Sequence, residues 1–390
     1  MIYKPFKEWN LSLLGMGAMR LPIVGENGPI DEAKAREIIE YAFEHGVNYF
    51  DTAFRYHGGE SERFLGNVLP QFPREKWHIA SKMPGHMMAY KDGRYEFTGL
   101  LAGRAGMTPR EIFQQQLEKC RVDYFDFYLL HNVCETAWDF YTDENLGVVE
   151  YLLSEKRAGR IRHLGLSAHG RAETIDRFLD WKDGFEFVQI QLNYLDWLLQ
   201  DAGSKYEVVV KHGLPVIVME PVRGGRLANL PERAAARLKQ ARPEDSIASW
   251  AFRFLQKLPG VQVVLSGMTT LDQLKDNLNT FEVSDPLTDD EMALIRDIAR
   301  GMAELVPCTG CRYCCDDCPQ GLDIPKLLSM YNEIRFDSPS LMRFALDAMG
   351  EDELPGACLG CGACSRACPQ GIGVPGAMKE FAAALAKLRP

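Results

Sequence analysis

Two sets of residues in this chain have types and spacings that could do chemistry. Nine of the eleven cysteines lie between Cys308 and Cys368. Eight of them form two copies of one run, Cys308-x2-Cys311-x2-Cys314-x3-Cys318-Pro319 and Cys358-x2-Cys361-x2-Cys364-x3-Cys368-Pro369. Such clustering, with no export signal ahead of it, favours metal binding over a disulfide framework. Two zinc sites of four thiolates each are the competing occupants, but zinc motifs do not need this four-cysteine run. The second set is Asp51, Tyr56, Lys82 and His131, each at or just past the end of an apolar stretch. A free tyrosine, with a pKa of about 10, is a poor proton shuttle near neutrality. A neighbouring ammonium favours the phenolate and brings that pKa toward the working range, and a carboxylate can hold the ammonium in place.

The elements that must position these groups follow from the apolar pattern. Strand candidates fall at 11–15, 48–50, 77–81, 125–130, 161–167, 187–192, 215–219 and 261–265, each followed by a helix-compatible segment. Residues 31–45 show helical spacing, with Asp31 as N-cap and Gly46 as terminator. Short apolar strands alternating with helices imply a parallel sheet buried on both faces. Eight units in under about 300 residues predict a closed (β/α)8 TIM barrel, an α/β fold, rather than an open sheet. In this fold the loops at the carboxyl ends of the strands carry the chemistry, which is where the four residues stand. Residues 84–107 are long for a connecting loop and read either as a lid over the mouth or as a surface insertion. From Glu304 the composition turns to cysteine-rich turns separated by helical stretches at 324–335, 340–349 and 374–388. Two domains are expected, 1–300 and 301–390.

The run Asn48-Tyr49-Phe50-Asp51-Thr52-Ala53-Phe54-Arg55-Tyr56, with Lys82 and His131 at later strand ends, resembles the signature of the aldo-keto reductases. That resemblance implies Tyr56 as proton donor to a carbonyl, Lys82 as its modulator, Asp51 as the lysine's partner and His131 as orienter of the substrate oxygen. It also implies a nicotinamide cofactor, NADP(H) or NAD(H). Ser167 and Gln191 would hold the carboxamide, Pro221 and Val222 the pyrophosphate, and Thr269, Gln273, Asp276 and Asn277 the adenine nucleotide. Four positions depart from the family pattern. Ala168 replaces an asparagine, Met219 replaces the ring-stacking aromatic, and Gly267 and Gln273 stand where many members place cations on the 2′-phosphate. NADP keeps a mild preference over NAD, and a flavin is the other candidate. No Gly-x-Gly-x-x-Gly fingerprint opens a helix, which disfavours a Rossmann domain.

The cysteine runs resemble bacterial ferredoxins, in the helical arrangement of respiratory iron–sulfur subunits. That resemblance implies two [4Fe–4S] clusters in a mostly helical ferredoxin-like domain, the fourth cysteine of each run serving the other cluster. Cys308, Cys311, Cys314 and Cys368 would hold one cluster, and Cys358, Cys361, Cys364 and Cys318 the other. Cys315 is surplus, and Cys120 and Cys134 read as packing thiols.

Bulk properties exclude other classes. The chain has 390 residues, 46% of them hydrophobic and 25% charged, and a formal charge of -10. That charge would repel nucleic acid. No apolar run reaches the roughly 18–20 residues that span a bilayer, and the start has no apolar h-region, so a cytoplasmic protein is expected. The expectation is a nicotinamide-dependent reductase of a small aldehyde or ketone, with an electron-transfer protein as a further partner. Two alternatives stand beside it: clusters exchanging electrons with a barrel-bound nicotinamide or flavin, and a non-catalytic nucleotide sensor.

Overall fold

The computed structural model describes residues 1–25, 28–98, 101–302, 306, 308, 312–336, 346, 349–368 and 371–388. The chain divides into two compact units, Met1–Trp197 with Asp201–Met292 and Leu198–Gln200 with Ala293–Pro390. The division falls inside the helix Asp289–Met302.

The first unit begins with an antiparallel hairpin, β1 (Tyr3–Phe6) and β2 (Trp9–Ser12), followed by β3 (Leu14–Gly17) and β4 (Tyr49–Asp51). Next come β5 (His78–Met83), a second hairpin of β6 (Met88–Lys91) and β7 (Arg94–Phe97), and β8 (Phe125–Val133). The last four strands are β9 (Ile161–Ala168), β10 (Val188–Gln191), β11 (Val216–Met219) and β12 (Val261–Ser266). The two hairpins stand apart from the sheet; the other eight strands close a parallel barrel in the order β3-β4-β5-β8-β9-β10-β11-β12. All eight coincide with the expected strands, with one shift. The stretch expected as a single strand at 11–15 is divided, because Leu11 and Ser12 belong to β2. Ser12 N–H donates to Asn48 Oδ1 at 2.8 Å and the Asn48 N–H donates to Ser12 Oγ at 3.0 Å, fixing the bend before β3.

The barrel interior is filled rather than open. Phe127, Phe187, Tyr49, Ile217 and Val263 are fully buried there, and Phe6 and Leu11 from the first hairpin pack against them. Gly165 is required by this packing: a Cβ there would lie 2.6 Å from the Phe187 ring. The second hairpin occupies part of the 84–107 insertion. Its Asp92–Gly93 turn has φ of 49° and 78°, the paired positive values that a tight type I′ connection needs. Phe97 of this hairpin stacks on Phe54 with ring centroids 5.7 Å apart.

The second unit repeats one motif. Each cysteine run leads into a glycine with φ of 64°, Gly321 and Gly371, whose N–H donates to the carbonyl of Cys318 or Cys368. A helix follows each, Ile324–Phe336 and Val374–Leu388, and the two pack through Tyr331 and Phe381. Leu327, Leu328 and Met378 complete this small core. The helical stretch expected at 340–349, and Cys311, lie outside the described residues, Leu346 and Met349 excepted. Among the described residues no helix is long and apolar enough to cross a membrane.

Candidate functional site

The four expected catalytic residues meet at the carboxyl ends of β4, β5 and β8. Lys82 is fully buried, and its Nζ donates to Asp51 Oδ1 at 2.6 Å, to the Thr52 carbonyl at 2.7 Å and to the Tyr56 hydroxyl at 3.4 Å. The Tyr56 and His131 rings stand edge to face, 6.3 Å apart. Asp51 closes β4, and the chain then turns through Thr52 to Tyr56, whose N–H donates to the Ala53 carbonyl.

The electrostatics correct one sequence expectation. Lys82 does pull the Tyr56 pKa down, but burial outweighs it and the phenol stays above its ordinary value. Tyr56 is therefore a protonated phenol at neutral pH. Burial alone would push Lys82 down, yet Asp51 and Tyr56 hold it above its usual value, a secure cation. Burial, then Lys82 and the neighbouring histidines, keeps the His131 imidazole well below its usual value and neutral.

A buried network braces Lys82 from behind. Ser81 Oγ and Gln116 Nε2 both donate to Glu62 Oε1 at 2.6 Å, and Gln116 Nε2 also reaches the Lys82 carbonyl at 3.1 Å. The Tyr128 hydroxyl donates to Gln116 Oε1 at 2.5 Å. Glu62 sits in the helix Glu60–Val68, directly after the tyrosine loop.

A cleft of about 400 Å³ runs from Asp51 and Tyr56 past Gln189 and Met219 to the helix Leu271–Thr280. Pro221, Val222, Thr269, Gln273, Asp276 and Asn277 all line it, as expected. Ser167 and Gln191 do not. Ser167 Oγ accepts the Asn132 N–H at 2.9 Å, and Gln191 Nε2 donates to Asp196 Oδ2 at 2.7 Å. Gln189, two residues earlier on the same strand, faces the cleft instead, and its Oε1 is buried with no partner in the protein. Sequence reading also passed over Arg20, Glu220 and His86. Arg20 Nη2 bonds Glu220 Oε1 at 2.7 Å, and both line the cleft. His86 Nδ1 lies 3.0 Å from the His131 carbonyl oxygen, so the base of the insertion touches the site.

In the second unit a small apolar cavity is bordered by Cys318, Cys358, Cys361 and Cys364. That is one expected ligand set, drawn from both runs. Among the described residues no three potential ligands converge as a single ion would require. Cysteines bordering a cavity suit a cubane, in which each thiolate meets a different iron. Of the other set, Cys308, Cys314 and Cys368 all pack on the core of this unit. Cys134, half-buried, places its Sγ 3.4 Å from Thr136 Oγ1, and Cys120 is buried in its helix.

Comparison with known proteins agrees with both units. The aldo/keto reductase family profile matches residues 13–300, and a 4Fe–4S dicluster domain profile matches 307–372. A probable aldo-keto reductase 1 of Glycine max is 31% identical over 159 residues, 41% of this chain but only 42% of that protein. The NADH-specific methylglyoxal reductase of Escherichia coli is 25% identical over 76% of this chain and 98% of its own length. The holo form of an aldo-keto reductase from Bacillus halodurans superposes with a TM-score of 0.60 at 25% identity, covering 76% of this chain and 96% of that one. The barrel, the profile match and the strand-end residues converge: the chain is an oxidoreductase of the aldo/keto reductase family that also carries a 4Fe–4S dicluster domain.

Proposed function

We propose that the barrel reduces a small aldehyde or ketone with a nicotinamide dinucleotide and that Tyr56 is the proton donor. The observation that carries this is the Asp51–Lys82–Tyr56 chain of contacts at 2.6 and 3.4 Å, opening on the cleft. The cleft suits the dinucleotide: the unpartnered Gln189 Oε1 offers an acceptor for a carboxamide N–H at the Tyr56 end. Met219 beside it offers an apolar platform.

A bound reduced nicotinamide supplies the hydride. The carbonyl carbon takes that hydride, the C=O π pair moves onto oxygen, and Tyr56 hands its hydroxyl proton to that oxygen. Lys82 stabilises the phenolate left behind, Asp51 holds Lys82 in place, and water then reprotonates Tyr56. Neutral His131 orients the carbonyl oxygen.

NADH is the better match, a change from the sequence preference for NADP. Among the described residues Arg20 is the only cation lining the cleft, and Glu220 already engages it. Asp276 adds a carboxylate near the adenine-nucleotide end. The Escherichia coli relative, NADH-specific by name, supports the same reading.

In the appended 301–390 domain we assign two [4Fe–4S] clusters, held by Cys308, Cys311, Cys314 and Cys368 and by Cys358, Cys361, Cys364 and Cys318. A cluster passes one electron at a time, whereas hydride carries two. The clusters therefore pair with a one-electron carrier protein, and a cytoplasmic setting suits them. A purely nucleotide-sensing role leaves the buried Lys82–Tyr56 contact without a purpose. The test is anaerobic turnover of aldehydes with NADH, compared between the native chain and Tyr56→Phe.

A further inference from the structure

The 84–107 insertion leaves the barrel at the end of β5 and returns against two catalytic elements. Phe97 stacks on Phe54, two residues before Tyr56. The first turn of the insertion, Gly85–Met87, carries His86, which is half-buried. The His86 and His131 rings meet edge to face, their centroids 4.6 Å apart and their planes at 72°. His86 Nδ1 lies 3.0 Å from the His131 carbonyl oxygen. A carbonyl oxygen only accepts, so Nδ1 carries the proton and donates.

His131 stands where the backbone needs holding. Alternation along β8 puts it on the interior face with Phe127 and Leu129. The ladder to β9 slips just there: Leu130 pairs with Leu166, but the next pair is Val133 with Ala168. One residue is extra on β8, and Asn132 takes a left-handed φ of 59°. Such a bulge interrupts the ladder, and its backbone groups must find other partners. Side chains supply them. Asn132 N–H donates to Ser167 Oγ at 2.9 Å. The His131 carbonyl accepts from His86 Nδ1 and from the Tyr141 hydroxyl, the latter at 2.7 Å. The same hydroxyl lies 2.9 Å from the Met83 carbonyl oxygen at the end of β5. The Tyr141 ring packs so closely on Gly85 that a Cβ there would collide with it. Two side chains thus tie the strand end that carries His131 to the root of the insertion.

We propose that His86 is a positioning residue for catalysis: through the His131 carbonyl it fixes the bulge from which the His131 imidazole orients the substrate oxygen. The root of the insertion is then part of the catalytic apparatus, rather than a bare lid or a surface addition. This rests on the carbonyl-reductase reading and adds a residue to it.

The test uses the full chain with its clusters, under anaerobic conditions. His86→Leu removes the donor, whereas His86→Asn keeps an N–H near the Nδ1 position. Aldehyde reduction with NADH is measured for both variants, and for His86→Leu again in a His131→Ala background. His86→Leu is expected to lower kcat by about tenfold to a hundredfold, with KM and NADH affinity kept within about threefold. His86→Asn should recover most of that loss. In the His131→Ala background, His86→Leu should cost less than about threefold, because a residue acting through another is not additive with it. An equal cost in both backgrounds, no cost in the native one, or no recovery with asparagine overturns the proposal. Hydrogen exchange of the peptide spanning His131 to Val133 supplies a readout that needs no turnover. It should quicken by about tenfold in His86→Leu and not in His86→Asn. Unchanged exchange in His86→Leu also overturns the proposal. Absence of aldehyde turnover in the native chain removes the carbonyl-reductase reading, and the exchange then still decides whether His86 holds the bulge.

Discussion

Lys82 and Asp51 form an ion pair at 2.6 Å in which both side chains are almost wholly excluded from water. A pair of this kind contributes little net stability, but removing one partner strands a buried charge. Lys82→Met should therefore destabilise the barrel by about 3–5 kcal/mol. It should also lower kcat by about 10²–10⁴. The double variant Asp51→Asn/Lys82→Met should regain most of the stability and none of the activity. Thermal unfolding and turnover on the three proteins check this, and recovered activity in the double variant would contradict the assigned role of Lys82.

The protonation state of Tyr56 sets the pH dependence. Reduction needs the phenol protonated, and burial holds its pKa above the ordinary value. The kcat/KM for carbonyl reduction should then stay level from neutral pH and fall only above about pH 10. Lys82 acts downward on that pKa more strongly than Asp51 acts upward, so the loss of both in the double variant should move the alkaline limb of its residual activity higher still. A limb near pH 7 would mean that the lysine outweighs burial.

Behind the lysine, Gln116 ties Glu62, Ser81, Tyr128 and the Lys82 carbonyl together. Gln116→Leu removes a donor from a buried carboxylate and an acceptor from Tyr128. A loss of about 3 kcal/mol in stability is expected from two buried groups left wanting. Loosening of Lys82 should reduce kcat more than it raises KM. Chemical denaturation and steady-state kinetics together read both effects.

Cofactor choice follows from charge. A 2′-phosphate brings added negative charge into a cleft whose single described cation is already bonded to Glu220. NADH should exceed NADPH in kcat/KM by about tenfold or more. Asp276→Lys should narrow the gap, and an unchanged ratio would place discrimination elsewhere.

The cluster ligands give an iron-counting prediction. Cys318 borders the same cavity as Cys358, Cys361 and Cys364, although it belongs to the other run. Cys318→Ser should lower iron from about eight to about four atoms per chain. NADH binding to the barrel should remain measurable by calorimetry.

Much of this was legible in the sequence because parallel barrel strands announce themselves as short apolar runs and their ends mark the chemistry. The strand ends place Asp51, Tyr56, Lys82 and His131 where chemistry belongs, and their roles come from the resemblance to the aldo-keto reductases. Gln189 was not, because residues two apart on a strand share a face and the pattern carries no height along it. The structure tells the two glutamines apart: Gln191 bonds Asp196, and Gln189 lines the cleft with its Oε1 unpartnered. The raised Tyr56 pKa depends on burial by distant segments, which spacing does not encode. The second hairpin carried a readable signal, Asp92–Gly93, within what looked like one long loop. The β1–β2 hairpin gave no comparable sign, since its apolar residues merge with those of the strand that follows.

The measurement that bears most directly on the account is anaerobic aldehyde reduction by Tyr56→Phe, with NADH affinity measured on the same preparation. The account predicts a loss of about 10²–10⁴ in kcat, because the proton donor is gone. NADH should bind within about threefold of the native value, under 1 kcal/mol. Undiminished turnover in Tyr56→Phe would contradict it.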